Sequence, residues 1–449
     1  MKKILFITYI FLSVNSFSQV IVHKDASIEK MVADVSPDSL KLYIEKMVSF
    51  GTRHTLSVQN NKIRGIGAAR NWVLDKFQEF SKTSKGKFDA FIDTTTLKKD
   101  GRRVNVETVL GNVVGKLIGT NPLDERVILI SGHLDSRRSN EMDSEGDSPG
   151  ANDDASGVAA VIECARIMSQ HEFPMTILFV AFSGEEQGLL GANFMANKAK
   201  NENWKIEAIL NNDIMGSNNS NETNNINNNK VRVFSEGISV LDTGKVATTL
   251  RNLGLENDGK PRQLARYVKE IGERYVDNLE VVLVYRNDRF LRGGDHTPFV
   301  LEGFPGVRIT EMNENYNRQH QDVRIEKGIE YGDKIEFIDF EYLRKNTCLN
   351  LSSLANLAKA PSVPTEVKVS TKKLTNYTNL FWSEPKFGKP NGYYILMRET
   401  SSPVWQKKIF TKDLKMDLPY SKDNYFFAVQ SVSENGNESL PIIPMPSGR

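Results

Sequence analysis

Six histidines occur in 449 residues, and two of them, His133 and His296, each stand in a short motif with a neighbouring aspartate. His133 lies in ISGHLDSR, directly after the apolar run VILI, with Asp135 two residues on. His296 lies in GGDHTPF, directly after Asp295. Between them come three acidic motifs: PGANDDASG with Asp153 and Asp154, SGEEQG with Glu185 and Glu186, and AILNNDIMG with Asp213. Two imidazoles with three carboxylates suit a borderline divalent ion such as zinc, whereas an all-oxygen set points to calcium or magnesium. A carboxylate that bridges two ions roughly 3.5 to 4 Å apart makes a two-metal site, in which water ionises near neutral pH. The adjacent Glu185 and Glu186 fit that chemistry, one as a ligand and the other free to take the water's proton.

These side chains can act together only if the fold gathers their loops. Val127 to Ile130 and Thr176 to Phe182 are continuous apolar runs of strand length, the mark of strands buried on both faces of a parallel sheet. Ser156 to Met168 between them has helical spacing. Strand, helix, strand at this spacing predicts an α/β protein with an open, mostly parallel sheet and helices on both faces. Such sheets build their sites at the C-terminal ends of the strands, where His133, Glu185 and Asp213 fall. Helices are expected at Ser36 to Met47, Arg64 to Phe80, Pro261 to Val276 and Phe337 to Ala358. Further strands are expected at Phe88 to Thr95, Val104 to Gly111, Val113 to Leu117, Leu279 to Tyr285 and Gly306 to Ile309.

The ends of the chain read differently. Residues 1–19, with Lys2 and Lys3 before the apolar run Ile4 to Val14 and small residues at Ser16 and Ser18, have the form of a cleavable secretory signal. The apolar run is shorter than the roughly 20 residues of a spanning helix, so a secreted or periplasmic protein without membrane insertion is expected. Residues 20–360 form the main domain. After the linker Pro361 to Pro364, period-2 runs separated by Pro, Gly and Asn turns predict a small all-β sandwich over 361–449. Trp382, Tyr394 and Tyr425 in those runs give it a resemblance to a fibronectin type III domain. The sandwich carries no chemistry of its own. It reads as an accessory for attachment or secretion, in which case deleting 364–449 leaves catalysis largely intact. Ser217 to Asn229, rich in Asn, reads as a polar surface loop. A net charge of +2 offers no electrostatic footprint for nucleic acid, and two cysteines exclude a disulfide scaffold. Cys164 and Cys348 each lie in an apolar helical run, so two separate buried thiols compete with a pair.

Taken in order, GHLDS, PGANDDASG, SGEEQG, NNDIMG and GGDHTPF resemble the M28 family of zinc exopeptidases, over roughly Ser36 to Ala360. The resemblance implies the zinc exopeptidase fold, two Zn²⁺ per chain and peptide substrates. It implies Asp153 as the bridging ligand, His133 and Asp213 on one zinc, and Glu186 and His296 on the other. Glu185 matches the family's general base, and Asp154 follows across what the family often makes a cis peptide. Asp135 and Asp295 match positions that orient the two histidines. The implied activity is that of an aminopeptidase. The segment ENYNRQHQDVR departs from the family's usual Tyr-His-Thr element, and its His320 is expected either to steady an oxyanion or to lie at the surface. Arg308 and Glu311 are candidates to read a substrate terminus. His23, His54 and His171 read as structural or solvated.

Two other activities share these ligands: a glutaminyl-cyclase-like acyltransferase and a carboxypeptidase of the same fold. EEQGLLGA resembles the peptidase branch. GIGAAR at Gly65 imitates a dinucleotide loop but sits in a helical pattern with no strand before it. The sequence leaves the oligomeric state and the preferred N-terminal residue open.

Overall fold

The structure, a computed structural model, describes residues 22–372 and 375–447; the expected signal at 1–19 lies outside the described residues. Helices α1 (Ala26–Ala33) and α2 (Pro37–Val48) come first. Ser36 caps α2 by accepting the Ser39 amide, Pro37 starts it, and Leu40, Ile44 and Met47 give it one buried face. Then follow α3 (Gly65–Thr83), β1 (Phe88–Leu97), β2 (Thr108–Leu117), β3 (Arg126–His133), α4 (Ala155–Met168) and β4 (Thr176–Phe182). The chain continues through α5 (Leu190–Asn201), β5 (Lys205–Asn212), β6 (Lys230–Phe234), α6 (Gly244–Asn252) and α7 (Lys260–Tyr275). It proceeds with β7 (Glu280–Val284), α8 (His296–Leu301), β8 (Gly306–Glu311), the β9–β10 hairpin (Arg324–Glu326, Ile329–Tyr331) and α9 (Phe340–Lys359).

Eight strands form one sheet in the order β1-β2-β4-β3-β5-β8-β6-β7. The central neighbours β4, β3, β5 and β8 run parallel, while β1 and β2 add an antiparallel edge. Along β4, Ile177, Phe179 and Ala181 enter the larger apolar cluster with α3, α4, α7 and α9, and Leu178, Val180 and Phe182 enter a second one with α5 and α8. Period-2 alternation with both sides apolar explains the unbroken hydrophobic run. The two runs expected at Val104 to Gly111 and Val113 to Leu117 are one strand from Thr108. Asn112 does not break it, because its buried side chain accepts the Ser183 amide and donates to the Gly191 carbonyl.

Seven short strands follow: β11 (Thr365–Val369), β12 (Thr378–Ser383), β13 (Gly392–Glu399), β14 (Lys407–Thr411), β15 (Lys415–Leu418), β16 (Tyr425–Val432) and β17 (Met445–Pro446). They form sheets β15-β12-β11-β17 and β14-β13-β16, with Trp382, Tyr393, Ile395 and Phe427 between them. This unit packs on the main domain through buried charge. Arg274 on α7 grips Glu438 of the β-unit with two bonds of 2.9 and 2.8 Å, and Lys408, from the β-unit itself, braces the same carboxylate at 3.1 Å. Arg398 reaches Asp258 at 2.6 Å, and Leu440 belongs to the main domain's apolar cluster. Cys164 and Cys348 are separate buried thiols.

Candidate metal centre

Three parallel strands deliver the site. His133 ends β3, Glu185 and Glu186 follow β4, and Asp213 follows β5. Gly132 is required just before His133, since a Cβ there would lie 2.7 Å from the backbone of Gly157 at the start of α4. Asp153 and Asp154 open α4, joined by a cis peptide bond. Asp154 accepts the amides of His133 (2.9 Å), Gly157 (2.9 Å) and Ile214 (3.2 Å), so one buried carboxylate ties the ends of β3 and β5 to the helix.

Asp153 is the centre of the arrangement. Its Oδ1 lies 3.0 Å from His133 Nε2, and its Oδ2 lies 3.0 Å from His320 Nε2. Asp213 Oδ1 stands 3.8 Å from His133 Nε2, and Glu186 Oε1 stands 3.1 Å from His320 Nε2. Two groups of three ligand atoms result, His133 with Asp153 and Asp213, and Asp153 with Glu186 and His320; they are the metal-capable groups among the described residues. Glu186 Oε1 is buried with no hydrogen-bond partner there, an acceptor aimed into the cluster. The donor set, two imidazoles and three carboxylates sharing one aspartate, fits a pair of divalent ions of the zinc type.

Electrostatics agree with that geometry. Burial disfavours charge on Asp153, but His320 and His133 outweigh it and hold the carboxyl far below its usual range. For His320 burial works against the proton, yet Glu186 and Asp153 raise its pKa to about 10. Burial likewise opposes ionisation of Asp213, and Arg308, His133 and Arg289 overcome it. Arg308 Nη1 contacts Asp213 Oδ2 at 2.8 Å, leaving Oδ1 toward His133.

Of the two histidines singled out near the site, His320 rather than His296 falls in a ligand group. His296 belongs to neither ligand group. It starts α8, fully enclosed, with Nε2 2.7 Å from the Asn287 carbonyl. His320, on an irregular loop with φ +54, supplies the second imidazole. The carboxylate of Asp295, just before His296, is buried and lacks a hydrogen-bond partner among the described residues, and burial drives its pKa up to about 8.

Asp135 acts in an unexpected way. His133 Nδ1 meets its backbone carbonyl at 3.0 Å, while its carboxylate accepts the amides of Gly184, Glu185 and Glu186 and the Thr55 hydroxyl. One residue thus aims the imidazole and fixes the Glu185–Glu186 loop. Glu185 faces the cavity, and burial, reinforced by Glu186, Asp213 and Asp295 against the opposing His133, raises its pKa well above the ordinary range. Arg308 and Glu311 are both fully buried and do not line the cavity. Glu311 accepts Asn152 Nδ2 (2.9 Å) and the Ser217 amide (2.6 Å), steadying the loop before Asp153.

Two residues that pattern reasoning missed complete the frame. Asp333 accepts the amides of Asn152 and Asp153, and Arg53 donates to the carbonyls of Leu134, Pro149 and Gly150. Both lie in irregular segments whose partners are distant in sequence, so no local pattern marks them.

Residues 112–329 match the family model described as peptidase family M28. A "probable zinc metalloprotease" of Leptosphaeria maculans is 39% identical over 423 residues, covering 94% of this chain and 97% of that protein. The chain belongs to peptidase family M28. It is a zinc metalloprotease of that family. A second relative of the same description, from Pyrenophora tritici-repentis, is 38% identical over 94% of this chain and 98% of its own length. Among solved structures, LapB and the LapA aminopeptidase of Legionella pneumophila each superpose with a TM-score of 0.53, at 16% and 17% identity. Each match covers 76% of this chain and 78% of the other, a likeness of fold.

Proposed function

We propose that this M28 peptidase is an exported aminopeptidase that holds two zinc ions and releases single residues from peptide N termini. The observation that carries the reading is Asp153, with one oxygen toward His133 and the other toward His320. His133 and Asp213 would complete one site, and Glu186 and His320 the other. Bound there, zinc supplies Lewis-acid polarisation of the scissile carbonyl and lowers the pKa of water toward neutrality. Glu185 faces the same cavity without belonging to either ligand group, so its carboxylate takes the proton of the attacking water and returns it to the leaving amine. Asp135 keeps Glu185 in place through its amide. The cavity, of about 270 Å³, suits one end of a chain better than a long segment. The name of LapA, an aminopeptidase, supports the N-terminal direction. Residues 1–19 would direct export and be removed, and N-terminal sequencing of the mature protein tests this.

The choice between the two histidines gives a sharp expectation. His320→Ala reduces zinc from two ions per chain to one, while His296→Ala retains two; elemental analysis of purified variants reads both. Loss of a zinc from the His296 variant instead would restore the assignment that the GGDH motif suggested.

Mass spectrometry of a peptide set, free and N-acetylated and including N-terminal Gln, tests the activity. Single residues disappear from free N termini only, and a chelator abolishes the reaction. Loss of about 17 Da from N-terminal Gln alone, the mass of the ammonia expelled on acyl transfer, would mark cyclase chemistry. Shortening from the C terminus would mark a carboxypeptidase.

A further inference from the structure

The cavity above the candidate metal centre is lined by Arg103, Arg137, Arg289 and Arg292 in addition to its four carboxylates, Asp153, Glu185, Glu186 and Asp213. Three of those carboxylates are committed to the ligand groups, and the fourth is the base proposed above. What partners the arginines therefore decides the charge that a substrate meets. Arg103 and Arg137 share a single Glu141, at 3.0 and 3.7 Å. Arg289 and Arg292 share Glu314, at 3.4 and 3.5 Å, and Glu314 is already bound by Arg232 at 2.7 Å. Asp288 is divided in the same way, between Arg289 and the buried Arg308, both at 3.1 Å. Six guanidiniums thus share three carboxylates outside the ligand groups, while Arg137 and Arg289 also lean on the ligand-group carboxylates Glu186 and Asp213 at 3.9 and 3.7 Å.

The four lining arginines come from three segments. Arg103 precedes β2, Arg137 follows β3, and Arg289 and Arg292 lie between β7 and α8. They converge on the cavity while Arg103 and Arg292 keep about a third of their side-chain surface exposed. A surplus of positive charge in a walled cleft focuses the field and concentrates anions. Guanidinium matches carboxylate as a planar fork of donors, and it is the cation suited to recognising that group from a partly dry wall.

We propose that Arg103, Arg137, Arg289 and Arg292 form a carboxylate-reading collar, so that the preferred substrates are peptides bearing a carboxylate beside the scissile bond. The inference rests on the peptidase reading above and specifies its substrate class. The carboxylate comes either from an Asp or Glu side chain in the first two residues or from the C terminus of a very short peptide.

Equilibrium binding separates these sources without turnover. Zinc-loaded Glu185→Gln protein is titrated calorimetrically with Glu-Ala-Ala and Gln-Ala-Ala, then with Ala-Glu-Ala and Ala-Gln-Ala, all as C-terminal amides. A third pair compares Ala-Ala-Ala as free acid and as amide. The carboxylate-bearing member of at least one pair binds roughly 10- to 100-fold more tightly, the range of a charge-assisted hydrogen bond. That ratio shrinks with added salt, and it shrinks again in R103Q and in R292Q, which sit on different segments. The first two pairs report side-chain reading, and the third reports reading of the terminus. Equal Kd within every pair, or no measurable binding of any peptide, overturns the collar. Failure of wild-type protein with zinc to hydrolyse any free peptide overturns the peptidase reading instead, whatever the Kd ratios show.

Discussion

Glu185→Gln lowers kcat for peptide hydrolysis by about 10²- to 10⁴-fold, the contribution of a positioned acid–base group, while zinc content stays at two per chain. The amide is nearly isosteric with the carboxylate, and the backbone contact to Asp135 Oδ1 at 3.2 Å is unaffected. Only the capacity to take and return a proton is removed. Glu186 keeps its place opposite His320, so the ligand groups persist. Rates and elemental analysis on one preparation check the claim. Full activity would refute the assignment of the base, and loss of zinc would make Glu185 a ligand.

Removing residues 364–449 is expected to abolish soluble, folded protein. The reason is the interface that the deletion strips open: Leu440 completes the main domain's apolar cluster, and Arg274 and Asp258 lose their partners Glu438 and Arg398. Glu438 is fully buried and serves Arg274 and Lys408 together; Tyr267 donates to its backbone carbonyl at 3.1 Å. Breaking such a buried pair from one side costs about 3–5 kcal/mol, because the abandoned charges keep their desolvation penalty. Glu438→Ala tests this in the full chain and should lower the unfolding free energy by an amount in that range, with a lower denaturation midpoint. A pH signature accompanies it. Burial opposes ionisation of Glu438, but Lys408 and Arg274 prevail and its folded pKa falls to about 2, below the ordinary value of 4.5. A depressed acid contributes stability that is complete above its unfolded pKa and lost as pH falls toward the folded one. The shift is worth roughly 3 kcal/mol, and the loss is confined to the window between pH 4.5 and 2. Glu438→Ala should flatten the acid limb of the stability curve in that window. An unchanged midpoint and acid limb would show that the β-unit is the accessory that its sequence suggests.

Much of the architecture was legible because local physics and global position agreed. VILI, and TILFVAF after its first residue, are apolar throughout because both sheet faces are covered, and their ends point to the site. His133, Asp153, Glu186 and Asp213, from four separate motifs, fall within the two ligand-capable groups. The second histidine was harder. GGDHTPF offers an aspartate and an imidazole at a helix start, a pattern that also serves a buried histidine bonded to the Asn287 carbonyl. His320 sits among polar residues without strand or helix period, so only the folded chain reveals that it faces Asp153. The arginine collar left a trace in YRNDRFLRGGDH, where three arginines precede the motif, but their convergence with Arg103 and Arg137 is a tertiary fact. The buried salt links of the β-unit were invisible for the same reason, since charged residues in period-2 strands ordinarily face solvent.

The central claim is that Asp153 joins two metal sites, one completed by His133 and Asp213 and the other by Glu186 and His320. Anomalous diffraction from zinc-loaded crystals, collected on both sides of the zinc edge, tests it most directly. The account predicts two peaks about 3.5 to 4 Å apart on either side of the Asp153 carboxylate, one beside His133 and the other beside His320. A single peak, or a second peak beside His296, would contradict it.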